Sequence, residues 1–313
     1  MVKNIYKYLK IYEELGSKAI EVFRYIFSSL ALVFVIFKLK DSFSTVQMEV
    51  LVENLGHYFT VPLFVCCLLF AGLHHWSDGV VWQRILQVRI NISIYQAIKM
   101  NWTSLAYSFY SPNRLLDIPS KVLLLEGLES KFKWYAATGY NLLKPISTFL
   151  LGFLALLLLN PQWLILGSVS IMVLSLLIVF LIRSGNLPFV EKWKIMGDLW
   201  SGSRLAGLLG LNMIRIVSLS LQHTCILMLL GFNFPLIDLL LHLILIHTVV
   251  TFLPQIAGTE IFAKTFLCIY FLNLTSGQEV VLTSAVLLLW CMNVLIPVLF
   301  GLIYQKRAEL KTN

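Results

Sequence analysis

The residues able to do chemistry in this chain stand inside apolar sequence, where charge is hardest to keep. Asn212, Arg215, Ser218 and Gln222 recur at i, i+3, i+6 and i+10 within a Leu- and Ile-rich run. On a helix that spacing confines them to about one third of the circumference. A stripe carrying an Arg cannot face lipid, so it faces the bundle interior or a water-filled cavity. Ala206 and Gly210, one turn apart, allow close packing at the start of the same helix. A second constellation is SPNRLLDIPSK, Ser111 to Lys121, where Pro112 and Pro119 interrupt any continuous helix and Arg114, Asp117 and Lys121 sit within the break. Unwound backbone at membrane depth is tolerated only when buried in protein or lining a wet cavity. The third is LPQIAGTEIFAK, Leu253 to Lys264, in which Pro254 ends a helix and Glu260 and Lys264, four apart, share a face. Unpaired, each would cost roughly 2.5–3.5 kcal/mol at the bilayer centre.

The plain readings of these segments are an extramembrane loop, hydrogen bonding between helices and a self-neutralising pair. The functional reading is one charged cavity. Pro112 and Pro254 each end a helix with a Lys following nine or ten residues later. Paired broken helices in two parts of a membrane protein point to a shared substrate site. Cations held in an apolar phase suit phosphate or carboxylate.

Other chemistries lack their residues. There is no H-E-x-x-H, no G-x-S-x-G and no P-loop. Cys66, Cys67, Cys225, Cys268 and Cys291 lie in apolar runs without metal spacing and read as small buried hydrophobes. His74 and His75 are adjacent, point different ways on a helix and read as interfacial. Asp238, His242 and His247 read as packed or weakly hydrogen-bonded. No metal and no cofactor is expected.

The elements that must hold these residues are set by composition. Of 313 residues, 58% are hydrophobic and only 13% charged, against roughly 25% charged in a typical soluble domain. With a mean hydropathy of +0.82, the chain has too little polar surface for a water-soluble globule. The apolar runs are continuous rather than alternating, which excludes a transmembrane barrel. The fold class is therefore all-α, a polytopic membrane helix bundle. The net charge of +8 does not indicate nucleic acid, because most Lys and Arg flank the apolar runs.

Spans are expected at Val22–Phe37, His57–Leu73, Asn141–Leu159, Trp163–Ile182, Leu208–Gly231, Phe234–Leu253 and Val280–Tyr304, with Asn91–Tyr110 less apolar. His74 to Arg89 reads as a polar, aromatic interfacial bend, and Glu260–Leu272 as too short for a straight crossing. The count is about eight transmembrane helices plus two broken or re-entrant elements. Residues 1–21 form an amphipathic cytoplasmic segment, 22–304 a single transmembrane domain and 305–313 a cytoplasmic tail. No cleavable signal peptide is expected.

The three constellations together resemble the lysylphosphatidylglycerol synthase transmembrane-domain family, a flippase-like membrane module that also occurs in stand-alone form. The resemblance rests on Pro112, Asn113, Arg114, Asp117 and Lys121, then Arg215 with Gln222, then Pro254, Ile256, Ala257, Glu260 and Lys264. It extends over roughly residues 20 to 305. Leu116-Asp117 stands where the family usually has Gly-Glu, and Lys264 where it has Arg. The resemblance implies a lipid-handling membrane module, and the leading reading is a lipid flippase or lipid transporter; with no catalytic motif in the chain, an enzyme is not expected. The fused synthase domain of some members is expected to be absent.

Arg114, Lys121, Arg215 and Lys264 are then expected to meet an anionic headgroup, with Gln222 beside them and Asp117 and Glu260 balancing charge. Pro112, Asn113 and Pro254 shape the broken helices. Membrane lipids are the expected partners, with a membrane-protein partner possible and nucleic acid excluded. Two other readings stay open: a non-transporting scaffold for a lipid or cell-envelope enzyme, and an intramembrane transferase on a lipid carrier using Glu260 as base.

Placing the positive loops on one side puts both termini in the cytoplasm of a bacterial inner membrane. Single cysteines introduced at positions 160–162 are therefore predicted to label from outside intact cells, and one at Lys311 is not. Labelling of both from outside would contradict this topology.

Overall fold

The computed structural model describes residues 60–109, 111, 116–160, 202–232, 234–252, 259–272 and 278–312. The expected spans Val22–Phe37 and Trp163–Ile182, the segment 1–21, and Pro112, Asn113, Arg114 and Pro254 lie outside these residues. Among the described residues every regular element is helical. In chain order they are α1 (Thr60–Leu86), α2 (Ile94–Ser108), α3 (Asp117–Leu123), α4 (Ser130–Leu159), α5 (Gly202–Leu229), α6 (Leu236–Phe252), α7 (Thr259–Leu272), α8 (Gln278–Trp290), a π-helical turn (Cys291–Leu295) and α9 (Ile296–Thr312).

Among the described residues, four stretches are long and apolar enough to cross a membrane: Val61–Leu86, Ser130–Leu159, Gly202–Leu229 and Leu282–Tyr304. Each reaches at least the roughly 20 residues that span the hydrocarbon core. The last of them runs through α8, the π-turn and the start of α9.

One expectation is overturned. His74 to Arg89 is not an interfacial bend, because α1 runs unbroken from Thr60 to Leu86, 27 residues, and only the last few of the segment lie beyond it. Part of its polar face turns inward, while Trp76, Arg84 and Arg89 stay exposed. His74 and Ser77 are buried, as is the whole of Trp82. A polar local average resembles an interface, but on a helix the same residues can occupy one inward stripe.

The ends of several elements follow from side-chain chemistry. Ser93 caps α2, accepting from the Gln96 N–H while its own N–H donates to Gln96 Oε1 at 2.8 Å. After α5, Gly231 adopts φ +85° and the Phe232 N–H donates back to the Leu227 carbonyl at 3.0 Å, closing the helix before α6.

α5 is the central post, packed against α1, α4, α6 and α8. Two apolar clusters grip it at different heights. One joins Cys67, Cys225, Leu227, Leu243, Cys268 and Leu282. The other joins Val81, Trp82, Ile85, Ala137, Tyr140 and Leu208. His74, Ser77 and Asp78 of α1 and Asn212, Arg215 and Ser218 of α5 lie between these clusters.

The α4–α6 contact is close because Gly152 has no side chain: a Cβ there would overlap Thr248, whose hydroxyl donates to the Thr148 carbonyl across the interface at 3.1 Å. Gly152→Ala is predicted to cost about 1–3 kcal/mol of stability in detergent unfolding. Combining it with Thr248→Gly should return part of that loss. Unchanged stability in Gly152→Ala would show that these helices do not meet at this point.

Candidate functional site

The site begins with a single carboxylate. Asp78 of α1 accepts from the Tyr140 hydroxyl of α4 at 2.7 Å and from the Asn101 side chain of α2 at 3.2 Å, both at Oδ2. Its other oxygen faces the Lys144 ammonium at 3.1 Å and the Arg215 Nε at 4.0 Å. Those two approaches are ion pairs rather than aligned hydrogen bonds. Four helices thus meet at one acidic group.

Both cations sit at the middle of their helices. At 1.5 Å per residue, Arg215 is roughly 20 Å from either end of α5, and Lys144 about as far from the ends of α4. Pro145 follows Lys144 inside α4 and has no N–H to give, so it releases the Asn141 carbonyl at the same level.

Tyr140 links this centre to a second one. Lys144 Nζ lies over its ring at 4.3 Å and Lys121 Nζ at 4.8 Å from the centroid. Lys121 is buried and ion-paired with Asp117, and it donates to Ser104 Oγ at 3.1 Å. Ser104 in turn lies 2.7 Å from Ser120 Oγ. Burial opposes ionisation of Asp117, but the Lys121 ammonium outweighs it and holds the carboxyl below its ordinary range. This cluster sits at the join of α2, α3 and α4 and satisfies itself.

A cavity of about 510 Å³ opens beside Asp78. That is within the usual range for a small-molecule or headgroup site. Its charged lining comes from Lys144, Arg215, Glu260 and Lys264, joined by His74, His247 and Asn293. Its apolar walls include Ile216, Leu219, Val250, Phe252 and Leu289. Glu260 and Lys264 reach the same space from one face of α7, as their spacing requires. Counting Asp78 behind the lining, three fixed cations face two carboxylates among the described residues. Among the described residues no carboxylate is ion-paired with Lys264.

The backbone contributes as well. His74 Nδ1 lies 3.1 Å from the Arg215 carbonyl. A carbonyl only accepts, so Nδ1 carries a proton and donates it there. The π-turn places Asn293 on the cavity wall, where its amide donates to Gln222 Oε1 and to the Leu289 carbonyl, each at 2.9 Å. Single π-turns of this kind recur at functional sites.

The sequence-predicted residues therefore divide. Arg215, Glu260 and Lys264 line the cavity. Gln222 is buried one step behind it, held by Asn293 and lying 3.5 Å from Met292 Sδ. Asp117 and Lys121 are paired to each other on the far side of Tyr140. The stripe Asn212, Ser218 and Gln222 is buried along α5, with Arg215 on the same face.

Sequence reasoning missed Asp78, Lys144, Tyr140 and His74. Two signals pointed to them: His74 and Asp78 are four apart on α1, and Lys144-Pro145 lies inside the span already expected at Asn141–Leu159. No protein-family model matches this chain, and neither a curated protein nor a solved structure does.

Proposed function

We propose that this protein is a lipid transporter of the flippase type, taking an anionic lipid headgroup into the cavity between α4, α5, α6 and α7. The observation that carries this reading is the excess, among the described residues, of fixed cations over carboxylates around a space of about 510 Å³ level with the middle of the long helices. A phosphodiester supplies the missing negative charge, and Arg215 offers it planar, paired donors. The apolar walls Ile216, Leu219, Val250 and Phe252 accept the adjoining acyl chain.

The motif resemblance to the lysylphosphatidylglycerol synthase transmembrane-domain family supports the same reading. It extends the site to Arg114, with Asp117 and Lys121 holding Tyr140 and Lys144 in place behind it. On this reading the protein resides in a bacterial inner membrane and moves lipid without covalent chemistry.

Arg215 separates binding from folding. Its removal does not orphan Asp78, which keeps Lys144 at 3.1 Å and the Tyr140 hydroxyl at 2.7 Å. Arg215→Met is therefore predicted to insert and extract at normal abundance while losing about tenfold in retained anionic lipid, or ~1.4 kcal/mol. Arg215→Lys keeps the charge without the fork and falls between. Native mass spectrometry of detergent-extracted protein reads both quantities. Unchanged lipid retention in Arg215→Met would remove the guanidinium from the site.

A further inference from the structure

Behind the cationic lining lies a pair of buried histidines. His223 of α5 and His247 of α6 have ring centroids 5.6 Å apart and planes inclined at 52°. His223 is wholly buried, and neither of its ring nitrogens has a hydrogen-bond partner among the described residues. His247 is 4% exposed, its Nε2 is likewise unpartnered, and its ring lines the cavity. A neutral imidazole always carries one N–H and one lone pair, and burying both unmet opposes folding. A Leu or Phe would fill this apolar position without that cost, so the rings call for a role beyond packing.

Among the described residues, the charged and titratable groups around them come from four helices. His74 faces His247 from α1, Arg215 and His223 face it from α5, and Lys264 faces both rings from α7. Lys144 of α4 and Glu260 of α7 line the same cavity, whereas α8 brings the uncharged Leu289 and Trp290.

We propose that His223 and His247 form a proton-binding site coupled to the anion cavity, so that a headgroup and a proton are taken up together. With the cavity empty, Lys144, Arg215 and Lys264 oppose a further positive charge at His247. An anion seated among them cancels that field, and His247 accepts a proton from solvent at its unpartnered nitrogen. A water between the rings shares that proton with His223. When the anion leaves, the three cations expel the proton. Linkage makes the effect reciprocal: the anion strengthens proton binding by the same factor as the proton strengthens anion binding. This proposal rests on the anion-binding reading of the cavity and adds to it the ion that moves with the substrate.

The test uses the full chain, labelled with ¹⁵N-histidine, in lipid nanodiscs. Ring ¹⁵N shifts are followed against pH, with His247 assigned by His247→Gln. Three arms are compared: phosphatidylcholine alone, phosphatidylcholine with phosphatidylglycerol, and phosphatidylcholine with inorganic phosphate in the buffer. The proposal predicts that phosphatidylglycerol raises the His247 midpoint by about one pH unit or more, equivalent to about tenfold tighter lipid retention by the protonated form than by the neutral one.

Retained phosphatidylglycerol, read by mass spectrometry, with an unmoved midpoint would overturn the coupling and leave the lipid reading standing. A shift with inorganic phosphate but none with phosphatidylglycerol would keep the coupling and overturn the lipid reading. No shift with either anion and no retained lipid would overturn both. Should His247→Gln fail to fold, the His247 signals are assigned by elimination, through single replacements of the other histidines, and the same three arms are compared.

Discussion

The Asp78 carboxylate resolves the largest electrostatic difficulty in this chain. Lys144 and Arg215 both stand halfway along helices long enough to cross a bilayer, where an isolated cation is least tolerable. One acid on a neighbouring helix faces both. Tyr140 and Asn101 then satisfy its other oxygen, so the group is held from four helices at once. Removing Asp78 would leave both cations without their carboxylate, and breaking a buried pair in this way costs roughly 3–5 kcal/mol. The register of α1 against α4 and α5 is fixed accordingly: sliding any of them by one residue separates the charges.

The rest of the fold accommodates this layer. Two apolar clusters close over it along α1 and α5, while Gly152 lets α4 approach α6 closely enough to bring Thr148 and His247 to the same cavity. Pro145 and the π-turn at Cys291–Leu295 both disturb helices beside the charges, freeing a carbonyl in one case and turning Asn293 inward in the other. Lys121 and Asp117 form a self-contained pair that supports Tyr140 from behind. A neutral pair behind and a cationic excess in front give the cavity its sign.

How much of this was legible depends on whether the signal was local. The helical class and the spans at Asn141–Leu159 and Leu208–Gly231 followed from continuous apolar sequence, and the inward stripe of α5 followed from its spacing around Arg215. Glu260 and Lys264 reach one cavity from one face of α7, as their four-residue separation required. Asp78 was hidden because its neighbours are polar and aromatic, a composition shared by interfaces and by inward helical stripes. Lys144 was absorbed into its apolar run. What decides both residues is which distant helix lies opposite, and that depends on pairings such as 78 with 144 and 215, which a single sequence does not display.

The most direct test of this account is a double-mutant cycle on Asp78 and Lys144, read as unfolding free energy in detergent. Asp78→Asn alone leaves two partly buried cations facing a neutral amide and is predicted to cost about 3 kcal/mol, the low end for a buried pair. Adding Lys144→Met removes one of them and is predicted to restore a large part of that loss, giving a coupling energy above about 1 kcal/mol. Additive effects, with coupling within about 0.5 kcal/mol of zero, would contradict the claim that this carboxylate organises the membrane core.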